Sequence, residues 1–422
     1  MKAFKWVSAL TTAAVSISVG HSLTQTEQND QSSFTLSPSK RYPSNHNLDL
    51  SIPIPPRPPN LSPLYVTVLT RHGHRTPLPK LPGQSIEEFH SIWGYCHTTN
   101  GDKILCNRSQ LTPLGEHQLF IIGQNLHNQY IEQDKLLPST FDSEKLLIRS
   151  TDVPRTQLSL CRLVQGLYPT ISTDTIAKHA VVLDKSKETL YPNEKHCARL
   201  RELFIQAFQT EAYLTKVNSK EVISLKQQFE SEYNTVIVSW LDIADELRCR
   251  QAYNIELPRG ITQEMAEQAN KLAEWTFYHG LTGGFSSHEQ KTEKLELARL
   301  SMGRFLFEIL NNIQGKVNSE NVKVASIYAA HDSTIIPLME VLGHGHILEG
   351  VWPTFASNMI IELCQDKHNN QDKYWIRVIF NNKQIDLVPF DKWKTDILHL
   401  IPDDFEKECI AHSKDALPDY RW

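Results

Sequence analysis

Leu64-Tyr65-Val66-Thr67-Val68-Leu69, followed by Thr70-Arg71-His72-Gly73-His74-Arg75-Thr76-Pro77, is the stretch from which the fold is read. Its first half is a short, apolar and β-branched run with the length and composition of a buried strand. The run stops at ionisable residues, so the first chemistry sits at a strand end. Downstream, Leu111-Thr112-Pro113-Leu114-Gly115-Glu116 opens a helix, with Thr112 as cap, Pro113 in the first turn and Leu119, Ile122 and Leu126 at helical spacing. A second strand signal, Lys145-Leu146-Leu147-Ile148, ends at Arg149-Ser150-Thr151-Asp152 and gives way to a helical pattern through Leu158, Cys161, Leu163 and Leu167. A third, Val322 to Ala329, ends at Ala330-His331-Asp332-Ser333-Thr334, and a helix follows from Ile335 to Leu342. Tyr374–Phe380 and Lys383–Val388, joined through Asn381-Asn382, predict a β-hairpin.

The stretch between these segments is mostly helical, including Glu264–His279 and the periodic Leu297, Leu300, Phe305, Ile309 and Ile313. The order predicts an α/β fold, a sheet flanked by helices with an inserted α-helical cap. The expected division is a signal peptide over 1–20, a Pro-rich linker over 21–61, an α/β core from 62–169 and 315–422, and a cap over 170–314. Pro53, Pro55, Pro56, Pro58 and Pro59 favour an extended linker over a packed element.

The chain of 422 residues is 40% hydrophobic and 22% charged, as ordinary globular proteins are. A net charge of −5 without a clustered basic face argues against nucleic acid as a partner. Lys2 and Lys5 ahead of an apolar stretch from Trp6 to Gly20 read as an export signal, the alternative being a short N-terminal helix with nothing obvious to pack against. No later segment offers the roughly 18 consecutive apolar residues of a membrane span. The expected location is along the secretory pathway, whether secreted, periplasmic or in the lumen of an acidic organelle.

Seven cysteines fit an oxidising compartment, and the odd number leaves at least one without an intramolecular partner. Cys96 and Cys106 flank a polar loop and suit a local bridge, whereas Cys161 lies in an apolar helical pattern and reads as core. Asn60-Leu61-Ser62 and Asn107-Arg108-Ser109 are sequons, meaningful only in a host that glycosylates exported proteins.

Three strand ends thus carry Arg71, His72 and Arg75; Arg149; and His331 with Asp332. Ligands of open α/β sheets bind at the carboxyl ends of strands, so these residues converge if the three segments share one sheet. Guanidinium groups are planar, permanently charged donors suited to phosphate oxygens. An unprotonated His72 is then a competent nucleophile towards phosphorus, and a protonated Asp332 can supply the proton the leaving alcohol needs and later act as base towards water. An acidic working pH is expected. The blander alternatives are a turn histidine at His72, a hydrogen-bonded helix start at His331-Asp332, and surface ion pairs for Arg149 and Arg155.

Arg71-His72-Gly73-His74-Arg75-Thr76-Pro77 resembles the Arg-His-Gly-x-Arg-x-Pro signature of the histidine acid phosphatases, and Ala330-His331-Asp332 resembles their distal His-Asp motif. Leu111-Thr112-Pro113-Leu114-Gly115 is similar to the family's Leu-Thr-x-x-Gly segment, and Ile148–Thr156 looks like the prostatic and lysosomal branch. The resemblance spans roughly Pro63 to Val388 and is poorest across the helical insertion. It implies an acid phosphatase that hydrolyses small phosphate monoesters through a phosphohistidine on His72, with Asp332 as proton donor. It further implies phosphate binding by Arg71, Arg75, Arg149 and His331, and neither metal nor other cofactor. His74 falls at a variable position of the signature, where its titration can tune the site without taking part.

Within the same class, a phytase or a dedicated sugar-phosphate or lysophospholipid phosphatase stays open, because substrate choice lies in the least readable segment. From other classes come a non-catalytic exported protein that binds phosphate ligands, and a metal-binding protein using histidines such as His344 and His346. The oligomeric state, a homodimer included, also stays open.

Overall fold

A computed structural model of the protein describes residues 48–413, apart from 80–83, 99–100, 238, 285–290, 321–322, 349–350 and 369–372. The expected signal peptide and most of the expected linker lie outside the described residues. The strands are β1 (Leu61–Arg71), β2 (Tyr95–His97), β3 (Lys103–Leu105), β4 (Leu146–Ser150), β5 (Val181–Val182), β6 (Ala325–Ala330), β7 (Asn358–Asp366), β8 (Tyr374–Phe380) and β9 (Lys383–Pro389). Seven form one sheet in the order β5-β4-β6-β1-β7-β8-β9, while β2 and β3 make a separate ribbon.

The sheet is parallel from β5 to β1 and antiparallel from β1 through β9. β6 lies between β1 and β4, with Arg71 opposite Ala330 and Ser150 opposite Ala329. The three ionisable strand ends of the sequence therefore share one edge of one sheet. The antiparallel half ends in the expected hairpin, where Asn381 and Asn382 both take positive φ, 47° and 60°. That pair of left-handed residues is what a two-residue turn matched to strand twist requires.

Both faces of the sheet are buried, and side chains alternate between them as a strand's period of two dictates. Val66, Val68, Ile148 and Ile327 enter one core with Leu119 and Ile122 of the helix Pro113–Leu126 and Leu160 and Val164 of the helix Pro154–Leu167. Tyr65, Leu69 and Tyr328 enter the other, with Phe305 and Ile309 of the helix Lys291–Val317 and Ile335 and Ile336 of the helix Asp332–Val341. Burying each such side chain contributes about 1.5–3 kcal/mol. Lys291–Val317 falls largely inside the stretch expected as cap, but it packs on the sheet, with Phe305 edge-on to Tyr328 at 5.0 Å. The helices Lys220–Tyr233, Trp240–Ala252 and Gln263–Thr282 instead build a satellite core around Phe229, Leu247 and Met265.

The described prolines from Pro53 to Pro59 lie in neither helix nor strand, and they are clasped to the core. Arg57 pairs with Asp134 and Glu362, and the Arg377 guanidinium donates to the carbonyls of Pro55 and Pro56 at 2.6 and 3.0 Å. Two disulfides are formed. Cys96–Cys106 staples the ribbon, and Cys197–Cys409 ties the insertion to the C-terminal segment across 212 residues of sequence. Cys161, Cys249 and Cys364 are free and buried.

Candidate active site

Two glycines fix the entrance to the site. A Cβ on Gly73 would overlap the backbone of Gly115, and one on Gly115 would overlap the backbone of His74. The Arg-His-Gly turn and the start of the helix Pro113–Leu126 thus meet backbone to backbone, which only glycine permits at that separation. Thr112 caps this helix through the amide of Gly115 at 3.3 Å, and its own amide donates to the carbonyl of His74.

His72 follows β1 directly and is 1% exposed. Its Nδ1 lies 2.8 Å from the carbonyl oxygen of Gly73. A carbonyl only accepts, so Nδ1 carries the proton and the lone pair of the neutral ring is on Nε2. Burial, followed by Arg155, Arg71 and Arg75, holds the imidazole well below its ordinary pKa, so it stays neutral into acid.

His72 opens onto a cavity of about 550 Å³ that is also lined by Arg75, Arg155, His331, Asp332, Asp245 and Trp352. His331 caps the helix Asp332–Val341, contacts the Thr151 hydroxyl through Nε2 at 2.9 Å, and stands edge-on to the His72 ring at 5.7 Å. Burial and then Arg155 push it down to about 3. Asp332 accepts from the Trp352 indole N–H at 2.7 Å and pairs with Arg71 at 2.8 Å. Burial alone would raise its pKa, but Arg71, Trp352 and His331 outweigh burial and bring it to about 2. Without a phosphate beside it, Asp332 is ionised, whereas the sequence reading starts from the protonated acid.

The arginines divide by role. Arg71 does not line the cavity; it bonds Asp332 and the Pro353 carbonyl and stacks on Phe355 at 4.3 Å. Arg75 lines the cavity and is held by both oxygens of Asp245, at 2.7 and 3.0 Å. Arg149 is not among the lining residues. It lies on β4 with its guanidinium engaged by Glu188 at 2.6 Å, Glu308 at 2.5 Å and the Thr189 hydroxyl. Arg155, in the first turn of the helix Pro154–Leu167, takes its place at the cavity wall. It bonds only the Ser109 hydroxyl and has no carboxylate partner among the described residues. Burial and the neighbouring Arg75 lower its pKa to about 9. The Nε–H groups of Arg71, Arg75 and Arg155 are buried and make no hydrogen bond to protein, as does that of Arg149 outside the cavity.

His74 stays out of the cavity. Its Nε2–H donates to the Cys249 carbonyl at 2.9 Å, its ring stacks on Tyr253 at 5.0 Å, and burial pushes its pKa to about 3. It ties the turn after β1 to the helix Trp240–Ala252 and does not titrate near neutrality. His344 pairs with Asp386 at 3.2 Å, and among the described residues no three His, Cys, Asp or Glu side chains gather as metal ligands. No helix of the described residues is long and apolar enough to cross a membrane.

A neutral imidazole with a free Nε2 lone pair, guanidinium donors around it and a carboxyl group beside it, at the carboxyl ends of the parallel strands of a mixed sheet, suit a phosphoric monoester hydrolase. The chain belongs to branch 2 of the histidine phosphatase superfamily, whose family model matches residues 64–381. It is 26% identical to counting factor 60 of Dictyostelium discoideum over 76% of this chain and 80% of that one. It is 25% identical to human prostatic acid phosphatase, covering 82% and 88% of the two chains. Among solved structures, Hafnia alvei phytase in complex with tartrate superposes with a TM-score of 0.57 at 11% identity, over 84% of this chain and 99% of that chain, which shows a shared fold.

Proposed function

We propose that the chain hydrolyses phosphate monoesters by double displacement, with Nε2 of His72 as nucleophile and Asp332 as the proton carrier. The observation that carries this reading is the His72 Nδ1 contact with Gly73, which leaves the Nε2 lone pair free on a ring that burial keeps neutral. In the first step the P–N bond to Nε2 forms and the ester P–O bond breaks, the alcohol leaving with the proton of Asp332. In the second, water attacks phosphorus, gives its proton to the Asp332 carboxylate, and the P–N bond breaks.

Phosphate itself arms the acid. A phosphate charge about 5 Å from a carboxylate, at an effective dielectric of about 20, opposes its ionisation by about 3 kcal/mol, or roughly two pKa units. Asp332, ionised in the unliganded site, is therefore shifted towards its protonated form as substrate binds, and in acid it takes up a proton, either from solvent or from the monoanionic ester. Arg75, Arg155 and His331 face the phosphate, while Arg71 sets the orientation and charge of Asp332. Arg149 is assigned to the scaffold.

Export belongs to this reading, supported by Lys2, Lys5 and the apolar stretch to Gly20 together with the two disulfides. Secreted, periplasmic and acidic-lumen destinations all accord with it, and sedimentation distinguishes a monomer from a homodimer. The test of the chemistry is p-nitrophenyl phosphate hydrolysis between about pH 4 and 8, with chelator, by wild type and His72→Ala. Turnover lost in the variant, and a phosphoryl adduct trapped on the His72 peptide of the wild type, are expected. Wild-type inactivity on every monoester would favour a non-catalytic phosphate-binding protein, and chelator sensitivity would favour a metal enzyme.

A further inference from the structure

We infer that Asp245, seconded by Asp242, is a specificity determinant that turns this site away from polyanionic substrates and towards esters bearing a single phosphate on a non-anionic alcohol. The inference rests on the phosphatase reading above. Asp245 and Asp242 lie three residues apart on the helix Trp240–Ala252 and line the same cavity as His72. Both Asp245 oxygens engage the two terminal nitrogens of Arg75, and one also accepts from the Leu78 amide at 2.7 Å. That is the fork-to-fork arrangement by which a guanidinium would otherwise hold two phosphate oxygens. Arg75 is left its buried Nε–H and the second N–H of Nη2, but not the paired edge that Asp245 occupies.

The charge count follows from these pairs. At the floor, Arg75 and Arg155, with Arg71 behind the wall on Asp332, stand against Asp332 and Asp245, and His72 and His331 are neutral, so one net positive charge remains. Without Asp245 there would be two. At the rim, Lys185 and Lys195 oppose Asp242 and Glu194, with His196 beside them, and no net positive field is added by the fixed charges. A single phosphate is balanced by such a site, whereas further phosphates on the same alcohol meet the Asp242 side of the wall uncompensated.

The test uses the full chain and its Asp245→Asn and Asp242→Asn variants, with inorganic phosphate, p-nitrophenyl phosphate and inositol hexakisphosphate. Asp245→Asn keeps the size and one acceptor of the side chain while removing the charge. It is expected to bind inorganic phosphate about tenfold more tightly and to raise the kcat/KM ratio of inositol hexakisphosphate over the aryl ester about tenfold. Asp242→Asn, which leaves the Arg75 pair intact, should raise that ratio roughly threefold with phosphate affinity little changed. If Asp245 merely braces Arg75, both ester activities fall together, the ratio stays fixed and phosphate binds no tighter; that result overturns the inference. Phosphate titration by calorimetry in a His72→Ala background decides it without turnover. Wild-type inactivity on the aryl ester would instead count against the phosphatase reading itself.

Discussion

The Nδ1–H of His72 is held by the carbonyl oxygen of its own neighbour, Gly73, at 2.8 Å. One short bond therefore chooses the tautomer, and with it the nitrogen whose lone pair is left free, Nε2.

Replacing His72 by Ala is expected to lower kcat/KM by at least about 10³-fold while phosphate still binds, because the guanidinium donors remain. The acid limb of the wild-type kcat/KM profile should lie well below the ordinary imidazole value of 6.5, the direction in which burial and Arg155 drive this ring. A limb at or above that value, attributable to His72, would contradict the environment described for it.

Asp332→Asn should impair alkyl phosphates by about 10²-fold or more and activated aryl phosphates much less, since only the former need a proton on departure. Trp352→Phe removes the indole donor that favours the carboxylate. Loss of a hydrogen bond to a charged group, about 1.5 kcal/mol, should move the alkaline limb of kcat upward by about one pH unit. Equal losses on both ester types in Asp332→Asn would remove it as the acid.

Arg155 and Arg149 are expected to separate cleanly. Arg155→Ala should cost about 10²-fold in kcat/KM with little change in stability. Arg149→Ala should leave activity per folded molecule nearly unchanged but destabilise the protein by about 3–5 kcal/mol, because Glu188, 1% exposed, loses its charge partner. Denaturant melts and kinetics on the same preparations check both; the opposite pattern would return Arg149 to the phosphate.

Acid should weaken the unliganded protein. His74 and His331 sit near 3 in the folded chain against 6.5 when exposed, so the unfolded chain binds more protons between those values. Their stabilising contribution is complete above about pH 6.5 and is lost as pH falls towards 3; Asp332 adds a loss between 3.8 and about 2. Phosphate at about 100 times its Kd should restore about 2.7 kcal/mol. A melting temperature that is flat from pH 7 to 4.5 would show that these histidines are not held neutral.

What was legible in the sequence was whatever local pattern dictates. The alternation through Val66 and Val68, the glycine at 73 and the helix start at Pro113 each leave a nearby signature, and the three strand ends came from such signals. Choosing between Arg149 and Arg155 needed more. They lie six residues apart in one motif, but β4 turns Arg149 to the sheet face where Glu188 and Glu308 wait, while the helix that follows brings Arg155 round to the cavity. Asp245 and Trp352 reach the site from a cap helix and from the segment before β7, where no strand-to-helix transition marks them. The clasp on Arg57 was equally hidden, since its partner Glu362 is 305 residues away.

The bond between Cys197 and Cys409 makes the intervening polypeptide, including the helix that carries Asp242 and Asp245, a covalent circle. A protease that cuts once inside the circle opens it without releasing a fragment. The cavity wall that carries Asp242 and Asp245 would thus stay tethered after nicking, and a clipped preparation would run as one band until a reductant is added and as two afterwards.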